Sequence, residues 1–143
     1  MIAIACDHGG FELKEEIKEH LTKRNIDVKD FGTDSKVSCD YPEYAHEVGY
    51  AVTSGECSLG ILICGTGIGM SIAANKIKDV RAALCTDCYM AQMTREHNDA
   101  NILALGARVI GPGLALKIVD TFIDTPFSNE PRHIKRITQI ERI

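Results

Sequence analysis

The sequence predicts an α/β fold built on a parallel sheet of five strands. Short apolar segments suited to buried parallel strands alternate with longer segments whose apolar residues recur every three to four positions, as in amphipathic helices. With 143 residues, 45% of them hydrophobic, the chain is long enough for one substantial core and too short to expect two domains. We therefore expect residues 1–143 to form a single domain.

The predicted elements alternate along the chain. Strands are predicted over residues 2–6, 26–31, 61–63, 80–84 and 102–105. Helices are predicted over residues 11–24, from 42 to 52, 68–76, 87–96, from 112 onward and over about 131–142, with Tyr41 just outside the second helix. Pro42 and Pro112 lie at predicted helix starts, where the N–H group that proline lacks is not needed.

The chain is organised around the stretch from Gly60 to Met70, where an apolar run ends in a glycine-rich turn. Cys64 is predicted at the carboxyl end of the strand. The turn that follows carries Gly65, Gly67 and Gly69, so its N–H groups can converge on an anion. Ligands of open α/β sheets bind beyond the carboxyl ends of the strands, so a thiol beside such a turn indicates a reactive centre.

A plainer interpretation of this stretch is a small buried cysteine followed by an ordinary turn. The named nucleotide motifs are also absent. G-x-G-x-x-G would need glycine where Met70 stands, and no G-x-x-x-x-G-K-[ST] occurs. Nucleotide binding is therefore weakly supported.

Charge and cysteine content limit the possible partners and compartment. The net charge is −4 and the basic residues are scattered, so we expect neither nucleic acid nor a membrane as a partner. The N-terminus lacks the pattern of a signal peptide, and six cysteines without an export signal indicate reduced thiols in the cytoplasm. Cys85 and Cys88 form a C-x-x-C, but no second ligand pair completes a zinc site, and we expect no metal.

Polar residues at other predicted element ends are further candidates. Asp7 and His8 directly follow the first strand, although helix capping by Asp7 and an exposed His8 explain them equally well. Tyr41 fits packing slightly better than ligand contact. The polar cluster at 95–101 contains His97, whose imidazole is suited to proton transfer near neutral pH and is not explained by capping.

The C-terminal segment combines a basic pair with an apolar stripe. Arg132 and Arg136 are spaced i, i+4 on a helix and suit a phosphate, unless they form only a solvated basic patch. Ile134, Ile137 and Ile140 form a stripe with little of the domain left to cover, so we expect this helix to pack on another subunit.

Several motifs together resemble the B-type ribose-5-phosphate isomerases, whose relatives include allose- and galactose-6-phosphate isomerase subunits. The similarity runs nearly end to end and rests on C-D-H-G-G at 6–10, D-Y-P at 40–42, G-I-L-I-C-G-T-G-I-G at 60–69, S-I-A-A-N-K at 71–76, R-E-H-N-D-A-N at 95–101 and the Arg132/Arg136 pair. The resemblance implies a Rossmann-like three-layer α/β/α sandwich. It also implies a homodimer or homotetramer with its sites at the subunit interface.

The resemblance further implies interconversion of ribose 5-phosphate and ribulose 5-phosphate through an enediolate, with no metal or organic cofactor. Cys64 would be the base, Thr66 and Asp7 would position or exchange protons, and His97 would open the sugar ring. The turn formed by Gly65, Thr66, Gly67, Ile68 and Gly69 would stabilise the oxyanion. Hydroxyls would be held by Asn98 and Tyr41, and phosphate by His8, Arg108, Arg132 and Arg136, with His133 as a neighbour.

Two alternatives stay open at the level of sequence. A hexose-6-phosphate isomerase would use the same machinery, and the volume beside the far end of the sugar depends on tertiary packing. A non-enzymatic module that binds sugar phosphates or nucleotides is the other alternative, but it has no need of Cys64 and His97. Some members of the resembled family use a carboxylate base, and the absence of glutamate from this glycine-rich turn favours the cysteine subtype.

Overall fold

A computed structural model describes the whole chain, residues 1–143. The strands are β1 (Ile2–Cys6), β2 (Val28–Asp30), β3 (Leu59–Cys64), β4 (Ala82–Leu84) and β5 (Ile102–Gly106). The helices are α1 (Phe11–Lys23), α2 (Tyr41–Thr53), α3 (Ile68–Ala74), α4 (Cys88–Asn98), α5 (Pro112–Asp124) and α6 (Pro131–Glu141), with a short 3₁₀ turn at His8–Gly10. The predicted α/β class is confirmed.

The sheet has five strands in the order β2-β1-β3-β5-β4, and every pair is parallel. From β1 the chain first forms β2 on one side and later forms β3 on the other, so the strand order reverses between β1 and β3. The carboxyl ends of these two strands therefore flank the crevice where open α/β sheets bind ligands. Cys6 is paired with Ile63, which places Cys64 and Asp7 at this crevice.

Helices cover both faces of the sheet, which confirms the three-layer sandwich. One face packs against apolar residues of α1, α4 and α5, such as Ile17, Ala91 and Phe122. The other face packs against α2 and α3, represented by Val48 and Met70. Residues 61–63 of β3 are fully buried because they face both layers, as an unbroken apolar run predicts.

The predicted element boundaries lie within two residues of the observed ones, and two of the differences concern residues of the site. Tyr41 is the first residue of α2 rather than a residue outside it, because Asp40 is the flanking residue and Pro42 fits the first turn. The helix α4 extends to Asn98, where Asp99 adopts a left-handed conformation and ends it. His97 and Asn98 are therefore the last helical residues of α4 rather than part of a loop.

The direction of α4 decides where its last residues lie. Asp87 caps the start of α4 just after β4, its side chain accepting the Met90 N–H at 2.7 Å. The helix then runs back along the sheet, so that Asn98 lies near Asn101, whose carbonyl accepts the N–H of Gly60 at the start of β3. The end of α4 is thus at the amino edge of the sheet.

No helix is both long and apolar enough to cross a membrane.

Candidate active site

Cys64 ends β3 beneath the glycine-rich turn, as the sequence predicts. Its side chain is 5% exposed, and its Sγ accepts the main-chain N–H of Gly67 at 3.1 Å. An N–H group directed at sulfur stabilises a thiolate more than a thiol. The neighbouring strand also ends in a cysteine, but burial raises the pKa of Cys6 to about 12, so that thiol stays protonated at neutral pH.

Two glycines of the turn are required by its conformation and contacts. Gly67 has a φ of 80°, and a Cβ there would lie 2.6 Å from a Leu84 methyl group. Gly69 lies against the ring of Tyr41, whose hydroxyl would stand 2.8 Å from a Cβ at this position. Tyr41, the first residue of α2, therefore lies directly against the glycine-rich turn. Sequence alone slightly favoured packing over ligand contact for this residue.

The free N–H groups of the turn are fewer than predicted. The N–H of Gly67 is directed at Cys64, and that of Ile68 donates to Thr66 Oγ1 at 3.2 Å. The N–H groups of Gly65, Thr66 and Gly69 have no acceptor among the hydrogen bonds of the turns and loops. These three are therefore the donors best able to meet an oxyanion beside the thiol.

Asp7 and Arg108 lie at the same edge of the sheet. Asp7 is 8% exposed, and its Oδ1 accepts the N–H of Gly9 at 2.9 Å, so it does cap the 3₁₀ turn. The guanidinium of Arg108 lies beside two glycines: a Cβ would stand 3.5 Å from it at Gly65 and 3.6 Å from it at Gly9. A cation thus flanks the turn that follows Cys64.

His8 is oriented by Cys39, a loop residue that no sequence pattern singles out. The N–H of Cys39 approaches Nδ1 of His8 at 3.3 Å, and the Cys39 thiol lies 3.9 Å from the same nitrogen. A ring nitrogen that accepts an N–H carries no proton itself, so neutral His8 keeps its proton on Nε2. His8 can therefore donate a hydrogen bond to a ligand oxygen.

The second set of predicted residues surrounds the end of α4. The rings of His97 and His133 have their centroids 4.3 Å apart. His133 is 3% exposed, and its Nδ1 is 2.6 Å from Ser128 Oγ. Burial lowers the pKa of His133, and its electrostatic interactions with His97, Arg132 and Arg136 lower that pKa further. The role of Ser128 was not predictable from sequence, because one serine before a helix is an ordinary feature.

Arg132, Arg136 and Asn98 are exposed near this histidine pair. The one ion pair of Arg132 joins its Nε to a carboxylate oxygen of Glu130 at 2.8 Å. Asn98 Oδ1 accepts the Thr94 hydroxyl at 3.0 Å. Arg132 therefore keeps both Nη groups free, and Arg136, which forms no ion pair, keeps its whole guanidinium free to meet an anion.

The structure thus divides the predicted residues into two groups. The carboxyl-edge group consists of Asp7, His8, Tyr41, Cys64, Gly65, Thr66, Gly67, Ile68, Gly69 and Arg108. The amino-edge group consists of His97, Asn98, Arg132, His133 and Arg136. Five-residue β5 separates the two edges, a length of about 15 Å at roughly 3.3 Å per residue. Within one chain the two groups do not form one site.

The six cysteines are neither paired with one another nor clustered with other metal-ligating side chains. No group of three or more His, Cys, Asp or Glu side chains lies close enough to hold a metal ion. All six cysteines are free, including Cys85 and Cys88. Burial raises the pKa of Cys85 to about 12, so this half of the C-x-x-C is protonated at neutral pH.

The fold and the carboxyl-edge group define an α/β protein with a thiol and an anion-binding turn at the switch point of a parallel sheet. A family model described as Ribose/Galactose Isomerase matches residues 2–140. The chain therefore belongs to the Ribose/Galactose Isomerase family.

Proteins of known sequence and structure agree with this assignment. The chain is 50% identical over 142 residues to ribose-5-phosphate isomerase B of Escherichia coli strain K12. The aligned region covers 99% of this chain and 95% of the relative. A solved structure of ribose-5-phosphate isomerase B from Clostridium thermocellum is 56% identical, covers 99% of this chain and 95% of its own, and superposes with a TM-score of 0.97. The ribose 5-phosphate isomerase of Thermotoga maritima is 53% identical, with 99% and 97% coverage and the same TM-score.

Proposed function

We propose that this protein is an aldose–ketose isomerase that interconverts ribose 5-phosphate and ribulose 5-phosphate through an enediolate. The observation that carries the proposal is the buried Cys64 Sγ at the end of β3, accepting the Gly67 N–H at 3.1 Å beneath a turn with free N–H groups. The family and the names of the relatives point to the same reaction.

Cys64 is the base in this proposal. It removes the proton from C2 of the open-chain sugar, and the electron pair moves onto the C1 oxygen to give the enediolate. The free N–H groups of Gly65, Thr66 and Gly69 are the donors for this oxygen, and losing one such donor costs about 3 kcal/mol of transition-state stabilisation. Return of the proton to C1 completes the isomerisation, with Asp7 and the Thr66 hydroxyl beside the substrate oxygens to exchange their protons.

A second copy of the chain completes the site. Ring opening by His97 and phosphate binding by Arg132 and Arg136 belong to the same reaction as Cys64, yet these residues lie at the opposite edge of the sheet. We propose that the amino-edge group of one copy meets the carboxyl-edge group of its partner in a homodimer, alone or within a tetramer. His8, Tyr41 and Arg108 then face Asn98 and the arginine pair across the interface, and the exposed Ile134 and Ile140 of α6 supply apolar contact.

The reaction as proposed needs neither a metal nor an organic cofactor, because Cys64, His97, Asp7 and the Thr66 hydroxyl supply its proton transfers and main-chain N–H groups stabilise the oxyanion. We also place the protein in the cytoplasm. Six free thiols, four of them buried at Cys6, Cys57, Cys64 and Cys85, suit a reducing compartment.

A coupled assay with ribose 5-phosphate, allose 6-phosphate and galactose 6-phosphate tests the proposal. We expect the highest kcat/KM with ribose 5-phosphate. A preference for either hexose phosphate would replace the pentose assignment with the hexose one. Binding of all three sugars without turnover would leave only a binding module.

A further inference from the structure

We propose that Arg81, together with Glu141, is a positioning device that fixes α6 against the end of α4 and thereby sets where Arg136 stands. Arg81 directly precedes β4 and has no assigned role in catalysis or binding. Its side chain is 18% exposed and joins three parts of the chain. This inference rests on the proposed function, since Arg136 is there a phosphate-binding residue.

Arg81 is first fixed to the end of α4. Its Nε donates to the carbonyl of Asn98 at 2.9 Å, and its Nη2 donates to the carbonyl of Asp99 at 3.0 Å. Carbonyls at a helix C-terminus lack partners within the helix and carry partial negative charge, so a guanidinium is well suited to them. The main chain of Arg81 is also held, because its N–H donates to Asn101 Oδ1 at 2.8 Å.

The remaining nitrogen of the same guanidinium reaches α6. Arg81 Nη1 donates to Glu141 Oε1 at 2.8 Å, and the Glu141 side chain is only 24% exposed. This is the one side-chain hydrogen bond from the last turns of α6 to another element, because the only other bond there, from Thr138, stays within the helix. The planar fork of arginine makes these three bonds at fixed angles, which lysine does not reproduce.

The helix α6 is therefore attached to the end of α4 at two points. At its N-terminal end, His133 packs on His97 and approaches Ser128, while the N–H of Ser128 donates to the Glu96 carbonyl at 3.1 Å. At its C-terminal end the attachment is Glu141, about 12 Å farther along the helix. Arg136 lies between the two points, whereas Arg132 lies beside the first. Loss of the Glu141 attachment frees α6 to pivot about His133, and Arg136 moves more than Arg132.

A double-mutant cycle between Glu141 and Arg136 tests this inference, with KM and kcat for ribose 5-phosphate measured for each variant. We expect Glu141→Ala to raise KM about threefold to tenfold and to change kcat by less than about twofold. In the Arg136→Ala background the same change should raise KM by less than about twofold, because the residue that it positions is gone. Glu141→Gln keeps an oxygen for Arg81 and should recover most of the wild-type KM.

Two further variants complete the test. Arg81→Lys keeps a cation beside Glu141 but loses the fork, and it should raise KM without adding to the effect of Glu141→Ala. Gln139 lies on the exposed surface of the same helix and makes no side-chain hydrogen bond, so Gln139→Ala should leave KM unchanged.

The possible failures are distinct. An unchanged KM in Glu141→Ala, or equal factors in the wild-type and Arg136→Ala backgrounds, overturns the positioning role while Arg136 keeps its phosphate. A fall in kcat alone shows that Glu141 acts on the fold, and it also overturns that role. An unchanged KM in Arg136→Ala overturns the phosphate role in the proposed function, and with it positioning through Arg136.

Discussion

The carboxyl-edge and amino-edge groups are built in opposite ways. At the carboxyl edge, Cys64 and Asp7 are buried at the ends of neighbouring central strands, and a rigid turn holds them in place. At the amino edge, Asn98, Arg132 and Arg136 are exposed at helix surfaces, and of that group only His133 is buried. One group is thus positioned by the sheet, and the other by contacts between α4 and α6.

This difference indicates a division of labour. The atoms that make and break the C–H bond need a dry, fixed environment, which the end of a buried strand provides. In the proposed mechanism, ring opening and phosphate binding are carried out by exposed residues, which a second copy of the chain can bring to the site. Variants of each group should therefore fail in different kinetic parameters.

The largest effect is expected at the carboxyl edge. Cys64→Ala removes the proposed base and should lower kcat by at least about 10²-fold, with little change in KM, because the phosphate contacts stay in place. Steady-state kinetics on ribose 5-phosphate provide the measurement.

Cys57→Ala is the matched control for this change, because Cys57 is 1% exposed on the same side of the sheet and belongs to the same apolar cluster. It should alter stability, if anything, and leave kcat within about twofold of wild type. Near-normal turnover in Cys64→Ala would remove the thiol from the mechanism.

A loss of similar size, but dependent on the substrate, is expected at the amino edge. Ribose 5-phosphate in water is mostly a closed furanose, and a neutral imidazole can move both protons needed to open it. His97→Asn should lose roughly 10²-fold or more on ribose 5-phosphate and far less on the 4-deoxy analogue, which cannot form a furanose. Equal losses on both substrates would assign His97 to binding, the enediolate step or the fold.

Mixing the two inactive variants tests whether the groups meet across an interface. In a mixed dimer of Cys64→Ala and His97→Asn, one site carries both changes and the other carries neither. Random pairing makes half of the dimers mixed, so activity should recover to about a quarter of wild type. Co-expressed or refolded mixtures should be compared with each variant refolded alone. Absence of recovery in a demonstrably mixed dimer would contradict a site shared between the carboxyl-edge group of one copy and the amino-edge group of the other.

A smaller effect, confined to KM, is expected from the basic pair. Arg132→Ala or Arg136→Ala should raise KM by a factor equivalent to about 1.5–3 kcal/mol, which is the free energy of a charge-assisted hydrogen bond. Lysine at either position should restore the wild-type KM only in part. Lys135→Ala is a control on the same exposed turn of α6. Unchanged KM in both arginine variants would show a solvated patch only.

Much of the carboxyl edge was predictable because its determinants are local in sequence. An apolar run followed by alternate glycines predicts a buried strand and a tight turn, and the last residue of that strand must then be Cys64. The α/β fold follows from the same alternation and is confirmed by the structure. The position of Tyr41 against Gly69 was not predictable, because it depends on how α2 packs beside the turn.

The amino edge was less predictable because it is formed by contacts between distant segments. Spacing identified Arg132, Arg136 and the polar run that contains His97, but not that they lie at the opposite edge from Cys64. The link from Arg81 to Glu141 spans 60 residues and has no motif, since an arginine before a strand is a common surface residue. The apolar stripe of α6 predicted a partner, and packing on another subunit stays a prediction.

The smallest expected effect is on the pH dependence of stability, and it concerns His133. His133 faces His97, Arg132, Arg136, Glu130 and Ser128; burial first, and then its electrostatic interactions with the first three of these residues, lower its pKa, while Glu130 acts in the opposite direction. A histidine with a lowered pKa in the folded state takes up its proton more readily when unfolded. Its contribution to stability is therefore complete above the ordinary pKa of about 6.5 and is lost as the pH falls below that value.

His133→Asn should thus lose less of its Tm between pH 7 and pH 5 than wild type, as measured by circular dichroism at each pH. His46→Asn changes an exposed histidine on α2 and should follow the wild-type curve. If wild type and His133→Asn lose the same Tm over this interval, the buried imidazole does not set the acid sensitivity of the amino edge.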